Sequence, residues 1–361
     1  MPNQLRRSRC RSVALAAVIS LAASPYGISS AAAAPTSPMA HGTASVAYAG
    51  SLELLASSVL GPKFEAATGD KFQGRGAGST ALAQEILSNE ISPGVFLSVG
   101  KKAIKMLWPK RSLFAIQLAT DPLVVAYNPK SKYAARLAAI AAHKRPLSSL
   151  FSLLGTSGLR IGRTDPNADP QGVYFILMME LAQKTLGLSF DPAATVLGLS
   201  AAAPFGRTSQ IVDEDSLISD LQAGEFDVSS AYLSQAVQDH LPYIALPASL
   251  NFSVPSENAH YATVSLTLTN KTVDQGELIT LNETLVLPSA AAQPSAANQA
   301  ADDAFATFVL SRAGRADLKN GGYDLTGPVF FGATAAATPS GALPKDVLSA
   351  FTAAGGTTSA G

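Results

Sequence analysis

The chain has 361 residues, 47% hydrophobic and only 14% charged, enough apolar material for one large or two medium domains. Its formal net charge is zero, but residues 1–34 hold four arginines and no acid, which leaves 22 basic against 26 acidic residues in the remainder. That balance lacks the basic footprint of a nucleic-acid binder.

Residues 1–34 predict a secretory signal peptide. Arg6, Arg7, Arg9 and Arg11 form a basic start, Val13–Leu21 an apolar run too short to span a bilayer, and Ala31–Ala34 a small-residue cleavage stretch. Arg6-Arg7 alone is only a fragment of a twin-arginine signal. The single cysteine, Cys10, precedes the apolar run, so a cleaved chain has no disulfide, thiolate metal site or thiol nucleophile. A large core does not need disulfides, so their absence is compatible with export.

Residues 35–44 are a polar lead-in. Val46-Ala47-Tyr48 then predicts a strand, Ala49-Gly50-Ser51 a tight turn, and Leu52–Leu55 the start of a helix. Gly76-Ala77-Gly78-Ser79 before Thr80–Gln84 repeats that turn-to-helix arrangement. Helix starts of this kind leave backbone N–H groups free and point a positive dipole end outward. Two of them converging make an anion site with no basic side chain, while each alone is equally explained by serine N-capping. Leu123–Tyr127 predicts a buried strand, and the alternation of short apolar runs with helical stretches predicts an α/β architecture. Residues 128–155 predict a basic, solvated helical region.

Leu159–Gly162 predicts a further strand, followed by the turn Thr164–Gly172 and an apolar helix over Val173–Leu186. Asp169-Pro170 is a favourable helix start, with an acid at the cap and proline at the first helical position. Residues 213–224 predict an amphipathic helix closed by Gly224. Strands are predicted over Phe226–Tyr232, Tyr243–Leu246, 262–270 and Thr284–Leu287, and a helix over Pro294–Ser311. Residues 333–361, rich in Ala, Gly, Thr, Ser and Pro, predict a loose tail.

Catalytic motifs are scarce. His41, His143, His240 and His260 lack metal-ligand spacing, and neither a nucleophile elbow nor a phosphate-binding P-loop is present. Gly74–Gly78 carries only part of a dinucleotide fingerprint. Asp165, Asp169 and the run Asp213-Glu214-Asp215 leave two readings open: an acid/base pair, or capping and solvated helix starts.

Tyr48–Leu52, Gly76–Ser79, Gly162–Gly172 and Gly224–Asp227, in that order, resemble the periplasmic molybdate/tungstate-binding proteins of ABC transporters over roughly residues 44–331. The D-P-N-x-D-P-x-G turn is similar to the archaeal-type subfamily. The resemblance implies an α/β, two-lobed clamp of type II, each lobe a mainly parallel sheet flanked by helices. Lobe one would comprise residues 44–126 plus 256–333 and lobe two 127–255, with 334–361 a flexible tail. It further implies a monomeric, extracytoplasmic protein, not an enzyme, without cofactor or nucleic-acid partner. Such a protein captures molybdate or tungstate in the cleft for a membrane permease. A clamp for sulfate, phosphate or an organic acid, and a secreted carboxylate-dependent enzyme, remain as alternatives.

The implied ligand contacts are the hydroxyls and amides of Ser51 and Ser79 from lobe one, the backbone N–H of Gln171, an amide near Glu214, and the Tyr232 hydroxyl. Asp169 matches a carboxylate that approaches the metal of the oxyanion, or serves only as a helix cap. A second such carboxylate is expected directly before the tyrosine, where this chain has Ala231, so a tetrahedral anion held mainly by donors is the expectation. The family's acidic residue before the strand at Val95 is also missing from Ser92–Phe96.

Overall fold

A computed structural model describes residues 41–359. The expected signal peptide lies outside the described residues. Among the described residues, no helix is long and apolar enough to cross a membrane.

The strands in chain order are β1 (Thr43–Ala49), β2 (Lys71–Ala77), β3 (Val95–Val99), β4 (Phe114–Thr120), β5 (Leu123–Tyr127), β6 (Ile161–Thr164) and β7 (Ile211–Val212). They continue with β8 (Val228–Tyr232), β9 (Tyr243–Ala245), β10 (Ser265–Thr267), β11 (Val273–Gln275), β12 (Thr280–Leu285), β13 (Asp324–Gly332) and β14 (Thr357–Thr358). One sheet has the order β14-β13-β4-β12-β3-β1-β2 and a second β7-β6-β8-β5-β9, while β10 and β11 form a separate hairpin. Each sheet is the centre of one lobe.

Helices α1 (Gly61–Thr68), α2 (Ser79–Ser88) and α3 (Lys101–Leu107) pack on the first sheet. Helices α4 (Pro170–Thr185), α5 (Glu214–Ala223) and α6 (Leu233–Gln238) pack on the second. Helix α7 (Ala296–Leu310) returns to the first sheet and α8 (Lys345–Ala353) packs on α7.

Three features differ from the sequence expectations. Both sheets are mixed rather than mainly parallel. In the first, β1 runs parallel to β2 and β3, whereas β12, reached after the chain returns, runs antiparallel to both its neighbours, and β13 runs antiparallel to β4 but parallel to β14. In the second, β5 is antiparallel to β8 and β9. The strand Leu123–Tyr127, expected in lobe one, therefore belongs to the lobe-two sheet, and the chain changes lobes at Asp121-Pro122. Finally, residues 334–361 are not a loose tail where described. Val347 and Phe351, four apart on one face of α8, are buried against the core, and β14 adds an edge strand beside β13.

The core is filled by the apolar faces of these elements. Phe64 of α1 meets Phe305 of α7 edge-on at 5.3 Å, and β4 and β5 are buried along their whole length. Each fully buried aromatic or aliphatic side chain contributes about 1.5–3 kcal/mol. Helix α5 ends where the sequence predicts, because Gly224 takes the left-handed conformation (φ +90°) that closes it.

Candidate functional site

Both glycine-serine turns lie at the C-terminal ends of parallel strands and open helices, and the lobes meet across them. After β1, Gly50–Leu52 forms a single tight turn that feeds into helical residues. After β2, Gly78 starts α2. Close approach crowds both places, and at Gly78, where the neighbour is backbone, it requires glycine. A Cβ on Gly78 would lie 2.5 Å from the Ala168 carbonyl oxygen of lobe two, and one on Gly50 would lie 2.9 Å from Glu214 Oε2. The backbone bridges the cleft here too, since Ala81 N–H donates to Ala168 O at 3.1 Å.

Glu214 holds the centre of this contact. Its carboxylate reaches from the first residue of α5 across the cleft and accepts from Gly50 N at 2.8 Å and Ser51 N at 2.9 Å. A carboxyl group thus already occupies the amides of the first turn. The sequence led to an expected backbone amide near Glu214; the structure instead brings in its side chain. The Ser51 hydroxyl is buried beside that carboxylate without a well-formed hydrogen bond. Ser79 is fully buried, and its Oγ accepts from Val99 N at 3.1 Å, leaving the hydroxyl proton free to donate.

Asp169 serves as the N-cap of α4: Oδ1 accepts from Gln171 N at 3.0 Å, while buried Oδ2 has no partner. The Gln171 N–H, expected to face an anion, is therefore taken by the cap. Its side-chain amide instead donates to Ser230 Oγ at 3.3 Å. Tyr232 closes β8 fully buried, with its hydroxyl unpartnered. Thr164, at the end of β6, brings a further buried hydroxyl against Asp169, which sequence reasoning missed.

The absence of an acid at position 231 has a different meaning from the one expected. Successive strand residues point to opposite faces. Tyr232 joins the main core cluster, whereas Ala231 joins Val124, Ala126 and Leu217 on the other side of β8. An acid at 231 would point away from the Tyr232 hydroxyl. A second buried carboxyl, that of Glu214, approaches the same turns from a separate element.

The electrostatics follow from burial. Loss of water pushes the Asp169 carboxyl up to about 6. Burial first, and then the Asp169 charge, hold Glu214 well above the ordinary carboxylate range, against the opposing hydrogen bonds from Ser51 and Gly50. Burial and the same two acids raise the Tyr232 phenol, so it stays a protonated donor at neutral pH. Among the described residues, no group of three or more His, Cys, Asp or Glu could hold a free metal ion. Asp165 is spent within its turn, accepting from Asn167 N and Nδ2, and Asp213 and Asp215 are exposed at the start of α5.

A set of buried polar atoms without hydrogen-bond partners, drawn from both lobes, lines this contact. The chain is 30% identical over 252 residues to a Haloferax volcanii protein named "Putative ABC transporter molybdenum-binding protein", covering 70% of this chain and 75% of that one. It is 28% identical over 244 residues to a molybdate/tungstate-binding protein of Pyrococcus abyssi, covering 63% and 67%. Among solved structures it matches the periplasmic molybdate-binding protein of Azotobacter vinelandii at 16% identity and a TM-score of 0.49, over 79% of this chain and all of that one. The profile of the bacterial extracellular solute-binding proteins matches residues 44–324, most of the described chain, and the protein belongs to that family.

Proposed function

We propose that this chain captures molybdate or tungstate between its lobes and delivers it to the membrane permease of an ABC transporter. The observation that carries this reading is the meeting of unpartnered donors with two carboxylates. Ser51 Oγ and Tyr232 OH lack partners, and Asp169 Oδ2 and the Glu214 carboxylate lie in the same buried cluster.

The Ser51, Ser79 and Tyr232 hydroxyls are suited to oxyanion oxygens, each charge-assisted bond contributing about 1.5–3 kcal/mol. The carboxylates supply selectivity. An ionised acid about 4 Å from a dianion is repelled by several kcal/mol at an effective dielectric of about 20. Sulfate and phosphate offer no relief from that repulsion, because their central atoms take no further ligands. Six-valent molybdenum and tungsten accept additional oxygen ligands, so Asp169 and Glu214 can bond the central atom instead of opposing its oxygens. The names of the related proteins support the same assignment.

Calorimetric titration with molybdate, tungstate, sulfate, phosphate and chromate at matched ionic strength tests it. Molybdate and tungstate are expected to bind at least a hundredfold more tightly than sulfate or phosphate. Equal affinity for sulfate, or no heat with any oxyanion, would refute the assignment.

A further inference from the structure

An open cavity lies at the edge of the cleft. A cavity of about 260 Å³ lies between α3 of lobe one, α4 of lobe two and the β10–β11 hairpin. Thr80 and Pro170 in its wall directly follow Ser79 and Asp169, so it abuts the buried cluster. Its outer wall is charged, with Lys102 and Lys105 from α3 facing Asp274 and Glu277 from the hairpin and the segment after it. Lys102 and Lys105 are three residues apart and share one helix face. Lys102 pairs with Asp274, whereas Lys105 is exposed and, among the described residues, makes no ion pair.

The hairpin is anchored on lobe two. Leu266 and Leu268 are buried, β10 packs on α4, and Asn167 Oδ1 accepts from Thr269 N at 3.1 Å and Thr269 Oγ1 at 2.8 Å. The Lys102–Asp274 pair therefore spans the cleft from lobe one to lobe two at the opening.

We infer that Lys102 and Lys105 form an outer capture subsite for the oxyanion, and that Asp274 replaces the anion on Lys102 as the lobes shut. With the lobes apart, both ammonium groups face solvent without Asp274, and a dianion at the mouth meets two positive charges on one face. Closure brings in the Asp274 carboxylate, which neutralises Lys102, removes the outer hold on the anion and latches the hairpin over the opening. Positive charge at a cleft mouth raises association rates, and its effect fades as salt screens it. The buried cluster holds no Lys or Arg among its identified members, so the attraction that draws the anion in comes from outside it. This inference rests on the oxyanion reading.

Stopped-flow fluorescence with sodium molybdate on the full chain tests both parts. Lys102→Met/Lys105→Met is expected to lower the association rate about fivefold or more at 20 mM salt and to flatten its salt dependence. Lys130→Met/Lys144→Met, which removes two exposed lysines of lobe two, is the charge-matched control expected to leave it unchanged. Asp274→Asn is expected to raise the release rate severalfold without slowing association. Equal association rates for the Lys102/Lys105 double variant and the control would overturn the capture subsite, and unchanged release in Asp274→Asn would overturn the latch. If the unaltered protein binds no oxyanion, the reading of the site itself fails, which is a separate outcome.

Discussion

Replacing Ser51 by alanine is expected to separate binding from stability. The Ser51 hydroxyl is buried without a well-formed hydrogen bond. Leaving such a hydroxyl unsatisfied costs about 1–3 kcal/mol, and alanine removes that cost with little loss of packed volume. Ser51→Ala is therefore expected to keep or raise stability, by up to about 1 kcal/mol. In the complex the same hydroxyl donates to an anionic oxygen, a bond contributing about 1.5–3 kcal/mol. Its loss should weaken molybdate binding by roughly 10- to 150-fold, at 1.4 kcal/mol per decade. Ser79 supplies the contrast, because its Oγ already accepts from Val99 N. Ser79→Ala should lose about 1 kcal/mol of stability, the typical net value of an intramolecular hydrogen bond, as well as affinity. Urea denaturation of the free proteins and calorimetric titration with molybdate measure the two effects. A Ser51→Ala variant destabilised by more than about 1 kcal/mol with unchanged affinity would refute the reasoning, since the hydroxyl would then be structural.

Three further outcomes follow from other parts of the fold. Glu214→Gln removes a carboxylate from the cluster and keeps only one of the two acceptor oxygens that Gly50 N and Ser51 N use. It should weaken tungstate binding and strengthen sulfate binding at least tenfold, so the selectivity ratio measured by calorimetry falls from both ends. Glu283, in the middle of β12, is buried with neither carboxylate oxygen partnered, and burial holds it well above its ordinary value. A raised acid contributes stability that is fully present below its unfolded value and lost as pH rises through its folded one. Stability of the protein should therefore fall as pH rises above about 4.5, the more so because burial holds Asp121 and Asp302 at about 7. Glu283→Gln should raise the urea midpoint at pH 8 and leave it nearly unchanged at pH 4.5. Phe351→Ala should lower stability by about 3 kcal/mol, a typical cost for truncating a buried aromatic, and a change below about 0.5 kcal/mol would mean that α8 is dispensable.

How much was legible in the sequence depended on how local the cause was. Gly50-Ser51, Gly78-Ser79 and Asp169-Pro170 could be found because turn and cap chemistry is written within a few residues. The part of Glu214 could not, because its carboxylate meets Gly50 and Ser51 across more than 160 residues. The facing of position 231 was legible: Tyr232 ends a strand, and strand alternation alone puts residues 231 and 232 on opposite faces. Sheet direction depends on how the chain returns between lobes, so the mixed pairing left no trace in the apolar runs. In the last thirty residues, small polar residues hid the spacing of Val347 and Phe351, although an i, i+4 apolar pair was there to be read.

The most direct test locates the ion. Crystals grown with sodium tungstate and measured at the tungsten absorption edge would place the metal by its anomalous scattering. The account requires one strong site in the closed cleft, its oxygens bonded to Ser51 and Tyr232 and its centre within bonding reach of Asp169 and Glu214. Tungsten found only at the Lys102–Lys105 mouth, or nowhere in the cleft, would contradict it.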